Sequence, residues 1–453
     1  MTHMTSNPLL NRDLSGGLRM RRSTAADADA LAAFYSVIFQ NRETGRPNPY
    51  VADWARDLAS GTHPTFGADD FLLIEHRDTG RIVSALNLIS QTWACAGIAF
   101  GVGRVELVGT QPEYRNRGLV RALFEALHAL SAERGELIQA ITGIPYFYRQ
   151  FGYEMTVALD SSRSLNKAYV PKLKEGQVEP YRLRQATESD LPFLARVYQG
   201  ACRRYLLSAV RDDKLWAYEL QGRTGQNFNQ RAMLVIETAE GLPAGYLMHT
   251  PVLFGANLSV PQYEIADGVS WASVTPSVLR YLRQTGEAYQ AQGRRAPDNQ
   301  DDFTAIRFGI GIEHPAYDVI GDRLSQAPTP YAWYIRVPDL PAFLRRIAPV
   351  LEQRLADSAM VGHTGELKIS FYRSGVRLAF EGGRLASVEA WQPSPDQEGE
   401  AAFPDLTFLH LLFGHRTLGE VRHTHADCWA DGDARALLEI LFPKQLSDIW
   451  PVA

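Results

Sequence analysis

Residues 105–120 read VELVGTQPEYRNRGLV, and this stretch decides the fold. A short apolar run passes through Pro112 into a loop carrying Arg115, Arg117 and Gly118, and the amphipathic pattern LVRALFEALHAL follows at once. A helix start leaves its first amide N–H groups unpaired and carries a partial positive charge. A glycine there lets the main chain close on an anion and the two arginines add charge, so the pattern predicts a strand, a loop and a helix that together hold a phosphate, a pyrophosphate above all. Leu119, Leu123, Leu127 and Leu130 recur at the helical period and should form the buried face of that helix.

The chain around this stretch has 453 residues, more than one core supports, so two or three domains are expected. Its 45% hydrophobic and 21% charged residues are those of a globular protein. A formal net charge of −5 argues against nucleic acid or an anionic membrane as partner and leaves room for cationic amines. The first 17 residues lack the apolar centre of a signal peptide, and no apolar run approaches the roughly 20 residues of a membrane helix, so a cytoplasmic location is expected. Cys95, Cys202 and Cys428 stand far apart, which suits neither a disulfide framework nor a paired zinc motif.

An internal repeat accounts for the length. LRMRRSTAADADALAAFY (18–35) returns without gaps as YRLRQATESDLPFLARVY (181–198), with seven identities that include Arg21, Thr24 and Asp27 against Arg184, Thr187 and Asp190. Each copy reads as a strand, a cap and an amphipathic helix. Two strands around a Gly-containing turn follow in both copies, at 71–88 and 233–249, and LIQAITGIPYFYRQFGY (137–153) has its counterpart in AIRFGIGIEHPAYDVIG (305–321). The second copy offers YEIADGVSWASVTPSVLRYL where the Arg and Gly loop should recur, so only the first should hold a pyrophosphate.

These landmarks divide the chain into a first unit at 1–165, a linker at 166–180, a second unit at 181–328 and a third at 329–453. In the third, PDLPAFLRRIAPVLEQRL reads as one amphipathic helix, GELKISFY, GVRLAFEGG and RLASVEAW as strands, and FPDLTFLHLLFG and ARALLEILFP as helices. His423 and His425 alternate as on one strand face; with Cys428 nearby they raise a zinc site, but no further ligand has the right spacing, so no metal is expected.

The pattern Arg115-x-x-Gly118-x-Val120 resembles the acyl-CoA loop of the GNAT N-acetyltransferase superfamily, written Q/R-x-x-G-x-G/A, with Val120 departing at the last position. Tyr148-Arg149-Gln150-Phe151-Gly152-Tyr153 is similar to the Tyr-x-x-Phe-Gly-Tyr signature of its enhanced intracellular survival branch, and the third unit resembles the sterol carrier protein-like domain that ends that branch. The resemblance implies an α+β protein of two tandem GNAT folds, the second degenerate, followed by the carrier-like domain. It also implies an acetyl-CoA-dependent N-acetyltransferase that acts on a primary amine of a small cationic molecule, aminoglycoside- or polyamine-like, and leaves assembly into homo-oligomers open. A lipid or small-molecule carrier built on a non-catalytic GNAT-like scaffold is the alternative.

Site residues follow from the same resemblance. Tyr148 falls on the general acid; a phenol, with an ordinary pKa of about 10, can protonate a leaving thiolate at neutral pH. The backbone of Val108 and Thr110 should pair with the pantetheine arm, and Arg115, Arg117, Gly118, Leu119 and Val120 should hold the pyrophosphate. Two bases stay open for the amine proton: the terminal carboxylate of Ala453, although the tail SDIWPVA departs from an aromatic ending, and Glu106, whose structural reading is a solvated charge on a strand edge.

Overall fold

The computed structural model describes residues 7–159, 162–326 and 331–450. The first unit contributes strands β1 (Arg12–Leu14), β2 (Leu18–Arg22), β3 (Phe71–His76), β4 (Ile82–Cys95), β5 (Ile98–Thr110), β6 (Ile138–Thr142) and β7 (Glu154–Leu159), with helices α1 (Ala28–Ile38), α2 (Pro49–Ala59) and α3 (Leu119–Glu133). β1 to β5 form an antiparallel meander, and β6 joins β5 in parallel through α3. Strands buried on both faces need two apolar layers. Leu72, Ile74, Leu88 and Val105 pack against Leu123, Phe124, Leu127 and Leu130 of α3, while Phe71, Leu73 and Ile89 face α1 and α2.

After the first unit come β8 (Arg163–Asn166), β9 (Tyr181–Gln185), α4 (Leu191–Cys202), β10 (Leu207–Ala209), α5 (Asp213–Gln221), β11 (Ala232–Thr238), β12 (Pro243–His249), β13 (Asn257–Val260), β14 (Gln262–Ile265), α6 (Trp271–Ala291), β15 (Ala305–Phe308) and α7 (Pro315–Ile320). β9, β11, β12 and β14 repeat the antiparallel pairing of the first sheet, and β13 and β15 repeat its parallel pair. The repeated residues make the same contacts twice. Arg21 pairs with Asp27 and Glu75 (both 2.7 Å), and Arg184 pairs with Asp190 (2.8 Å) and Glu237 (2.6 Å). Asp27 and Asp190 each accept the N–H of the threonine three residues earlier at 2.8 Å, opening the helix.

β16 (Tyr331–Arg336) then crosses back. It lies antiparallel between β6 and β7 of the first sheet, while β8 lies antiparallel to β15 of the second unit, so each unit receives one strand from the segment that follows the other. The sequence boundary at residue 165 thus falls inside a strand of the second unit's sheet.

The third unit comprises α8 (Leu340–Arg346), α9 (Ala348–Ala356), β17 (Gly365–Ser370), β18 (Gly375–Glu381), β19 (Arg384–Trp391), β20 (Ala401–Ala402), α10 (Phe408–Leu412), α11 (Leu418–Thr424), β21 (Trp429–Ala430) and α12 (Gly432–Leu441). Its core is continuous with the far end of the first sheet, where Trp93, Val102 and Ile138 pack among Phe343, Leu367 and Phe408. Two sequence expectations change here. The single helix at 338–355 is two, because Pro349 lacks an N–H and crowds the carbonyl of Arg345. His423 lies on α11 rather than on a strand, and His425 just beyond it: Thr417 and Glu420 form a reciprocal cap, with bonds of 2.7 and 3.1 Å, that starts a helix.

The α+β class expected from the sequence is the one observed, with mixed sheets flanked by helices as two tandem GNAT folds would have them.

Candidate active site

The site begins where two strands part. β5 and β6 pair only from residues 102–105 to 138–141. Beyond that β5 bulges, with Leu107 at φ +53°, while its other edge stays on β4 up to Thr110 opposite Ser84. Among the described residues, the edge of β5 from Glu106 to Thr110 has no strand beside it, and Val108 and Thr110 lie on this open stretch.

The chain leaves β5 through residues 111–118 and enters α3 at Leu119. Arg115 reaches back to the Thr110 carbonyl at 3.4 Å, and Arg117 donates to the Glu113 carbonyl at 2.9 Å while lying 4.9 Å over the Tyr114 ring. Both arginines are exposed, and so is Gly118, whose φ of +74° disfavours any side chain and where an added Cβ would meet nothing within 4 Å. Leu119 sends its side chain into the core and Val120 is half-buried, so these two can offer a ligand only their main chain. The first-turn amides of this 15-residue helix have no intrahelical acceptor. The result is an exposed loop with two arginines beside the free first-turn amides of a helix, an arrangement whose charge and donors suit an anion.

Tyr148 comes from the short turn Phe147–Phe151 that follows β6. It is 5% exposed, with its ring 5.8 Å from Phe124 and 5.1 Å from Phe147. Gly143 makes room for it: a Cβ there would come within 2.7 Å of the Tyr148 ring. Burial pushes the Tyr148 phenol well above its ordinary range, and the Glu106 carboxylate and Tyr331 push it further, so the group stays protonated.

Glu106 is not the solvated edge charge of its structural reading. It is 9% exposed in the middle of the sheet, ion-paired with Arg104 at 2.5 Å, and accepts from the Thr142 hydroxyl at 3.1 Å. Alternation puts Arg104 and Glu106 on one face, and Arg104 lies 5.3 Å over the Trp333 ring. Arg104, Thr142, Gly143 and the β16 residues Tyr331 and Trp333 belong to the site and were missed from sequence. The spacing Arg104-x-Glu106 on a strand could have revealed the pair. Nothing local could have brought in Tyr331, whose hydroxyl donates to the Gly143 carbonyl from 188 residues away. Ala453 lies outside the described residues; Trp450, the last of them, donates from Nε1 to the buried Glu219 at 3.1 Å.

Residues 19–156 match the acetyltransferase (GNAT) domain family, whose members use acetyl-CoA or another acyl-CoA. No curated protein matches the chain. Among solved structures it is similar to a GCN5-related N-acetyltransferase from Kribbella flavida, at 17% identity over 98% of this chain and 99% of that one, with a TM-score of 0.62. It is also similar to Eis1 from Mycobacterium abscessus (15% identity, 95% and 98% covered, TM-score 0.58). Saccharomyces cerevisiae N-myristoyltransferase with bound myristoyl-CoA shares the fold more loosely (9% identity, 74% and 81% covered, TM-score 0.53). Residues 19–156 are thus a GNAT acetyltransferase domain, which makes the protein an acetyltransferase.

Proposed function

We propose that the protein transfers the acetyl group of acetyl-CoA to a primary amine of a small cationic molecule, aminoglycoside- or polyamine-like. The observation that carries this reading is the parting of β5 from β6 beyond residue 105, with the exposed Gly118 loop following β5 and the buried Tyr148 following β6. Acetyl-CoA supplies an activated thioester. The open edge of β5 at Val108 and Thr110 can pair with an extended amide chain as an added strand would, and Arg115, Arg117, Gly118 and the first amides of α3 then receive the diphosphate. Tyr148 holds a proton at its hydroxyl and can deliver it to a departing thiolate.

Glu106, where β5 leaves β6, holds a carboxylate that Arg104 and Thr142 orient, and is one candidate to take the amine proton; the carboxylate of Ala453 is the other. In this reading residues 1–165 are catalytic, residues 181–328 a degenerate copy, with Asp267 in the loop where the arginines would be, and residues 329–453 a carrier-like domain. A thioester-cleavage assay over a panel of amines tests the proposal, repeated with Tyr148→Phe and with residues 451–453 deleted. Turnover with an amine, lost in Tyr148→Phe, is expected; an enzyme that consumes no acetyl-CoA with any amine would overturn it.

A further inference from the structure

The three units meet around a cavity of ≈ 410 Å³ that the acetyl-transfer reading does not use. Its wall takes Val157 and Leu159 from β7, Phe228 and Phe254 from the second unit, and Phe413 and Trp450 from the third. The volume lies in the roughly 300–1,000 Å³ range of small-molecule sites. It is separate from the reaction centre. Thr142, Trp333 and Val157 stand in one row across β6, β16 and β7, and the fully buried Trp333 fills the place between the cavity wall and the Thr142 that touches Glu106.

One cation in this wall has no salt bridge of its own among the described residues. Arg231 donates to the carbonyls of Phe228 (2.9 Å) and Gln230 (2.7 Å), and its Nε is buried without a hydrogen-bond partner. Among the described residues it makes no ion pair: the carboxylate that bears on it, Glu219, is held by Arg223 at 2.5 Å, and its guanidinium lies 5.9 Å over the Trp450 ring. Burial pulls its pKa down to about 10, so it remains charged at neutral pH. Of the other ionic groups of the wall, Glu313 is exposed to solvent, His415 shares a hydrogen bond with His410 (3.0 Å), and three more are engaged elsewhere. Lys444 pairs with Glu420 at 2.7 Å, Arg307 bonds Ser162 at 2.9 Å, and the groups that bear on Asp448 are Glu264, His314, Arg211 and Arg204 rather than Arg231. A buried guanidinium with unused donors in an aromatic pocket is stabilised by an anion that brings its own apolar body.

We infer that the junction cavity binds an amphiphilic carboxylate, a small molecule whose acid group pairs with Arg231 and whose apolar or aromatic body fills the space between Phe228, Phe254 and Trp450. The site needs no acetyl-CoA and no turnover, so it stands or falls independently of the reaction proposed above.

Calorimetric titration of the full-length protein with 4-phenylbutyrate, 4-phenylbutyramide and 4-phenylbutylamine tests this. These probes share one body and differ in the charge of the head. The acid should bind at least about tenfold tighter than the amide, the scale of a charge-assisted hydrogen bond, and the amine should not bind. Arg231→Met should bring the acid to the affinity of the amide, and Ile312→Trp, which fills the cavity from its wall, should remove binding of both. Equal binding of acid and amide, tighter binding of the amine, no binding of the acid, or an Arg231→Met protein that keeps its preference would each overturn the inference. If Arg231→Met fails to fold, the acid against amide comparison in the unaltered protein and Ile312→Trp decide it.

Discussion

Tyr148 illustrates how position alone tunes a side chain. Its phenol is raised by burial first and by the Glu106 charge second, so the folded protein keeps it protonated past the ordinary value of about 10. Activity should therefore show no alkaline loss from this group below about pH 10. Tyr148→Phe should lower kcat by about a hundredfold while the dissociation constant for acetyl-CoA stays unchanged, which single-turnover rates and calorimetry would separate. Removing Glu106 has a different signature. Glu106→Ala leaves the buried Arg104 without its carboxylate and should cost about 3–5 kcal/mol in urea unfolding, whereas Glu106→Gln keeps a hydrogen-bonding partner and should cost less. Asp448 adds a pH dependence of known sign. Its carboxyl is pushed up from 3.8 to about 6, by burial first and by Glu264 next, so its contribution to stability is fully present below about pH 4 and is lost as pH rises to about 6. Asp448→Asn should raise the melting temperature at pH 7.5, by an amount corresponding to about 3 kcal/mol at most, and change little at pH 4.

At the scale of elements, the strand, loop and helix at 105–120 are where local sequence and observed structure agree most closely, because each part is dictated by its own residues. The run of apolar residues makes the strand, Pro112 ends it, and Gly118 takes the left-handed turn that the helix start needs. Gly118→Ala meets no atom, so its cost is backbone strain, about 1–2 kcal/mol by thermal melting, together with a raised KM for acetyl-CoA if the loop holds the diphosphate. The capping boxes at Thr24 and Thr187 are equally local and were legible for the same reason. Elements failed where a competing local signal was overlooked: Pro349 inside an amphipathic run, and the Thr417 to Glu420 cap ahead of two histidines at strand-like spacing.

On the scale of the whole molecule, the exchange of β8 and β16 ties the units into one folding problem. A protein cut after residue 326 lacks the strand that fills the first sheet between β6 and β7, leaving Ile141, Thr142, Val157 and the Tyr146 loop uncovered; Tyr146 N–H donates to the Tyr334 hydroxyl at 2.8 Å in the intact chain. That fragment should show no cooperative thermal unfolding of the first unit, and adding the remaining residues in trans should restore part of it. The two repeats are also clamped by Asp57 of α2, which accepts from the Thr224 N–H (3.0 Å) and from Asn227 Nδ2 (2.6 Å) across the junction. Asp57→Ala should destabilise the protein by about 1–3 kcal/mol, since it strands the buried Asn227 amide and removes the acceptor of the Thr224 N–H.

What the sequence determined by itself is what short-range physics controls: the duplicated strand and capped helix, the Gly118 loop, and the buried stripe of α3. These depend on residues within a few positions of one another, and the chain carries both partners of each interaction in one window. Only the tertiary structure decided that β16 returns to the first sheet, that Glu106 is buried against Arg104 and Thr142, and that Tyr331 closes over Gly143. Apart from the neighbouring Arg104, those contacts span up to 197 residues and are selected by the shape of a sheet edge and the need to satisfy buried polar groups, neither of which a local stretch of the sequence records.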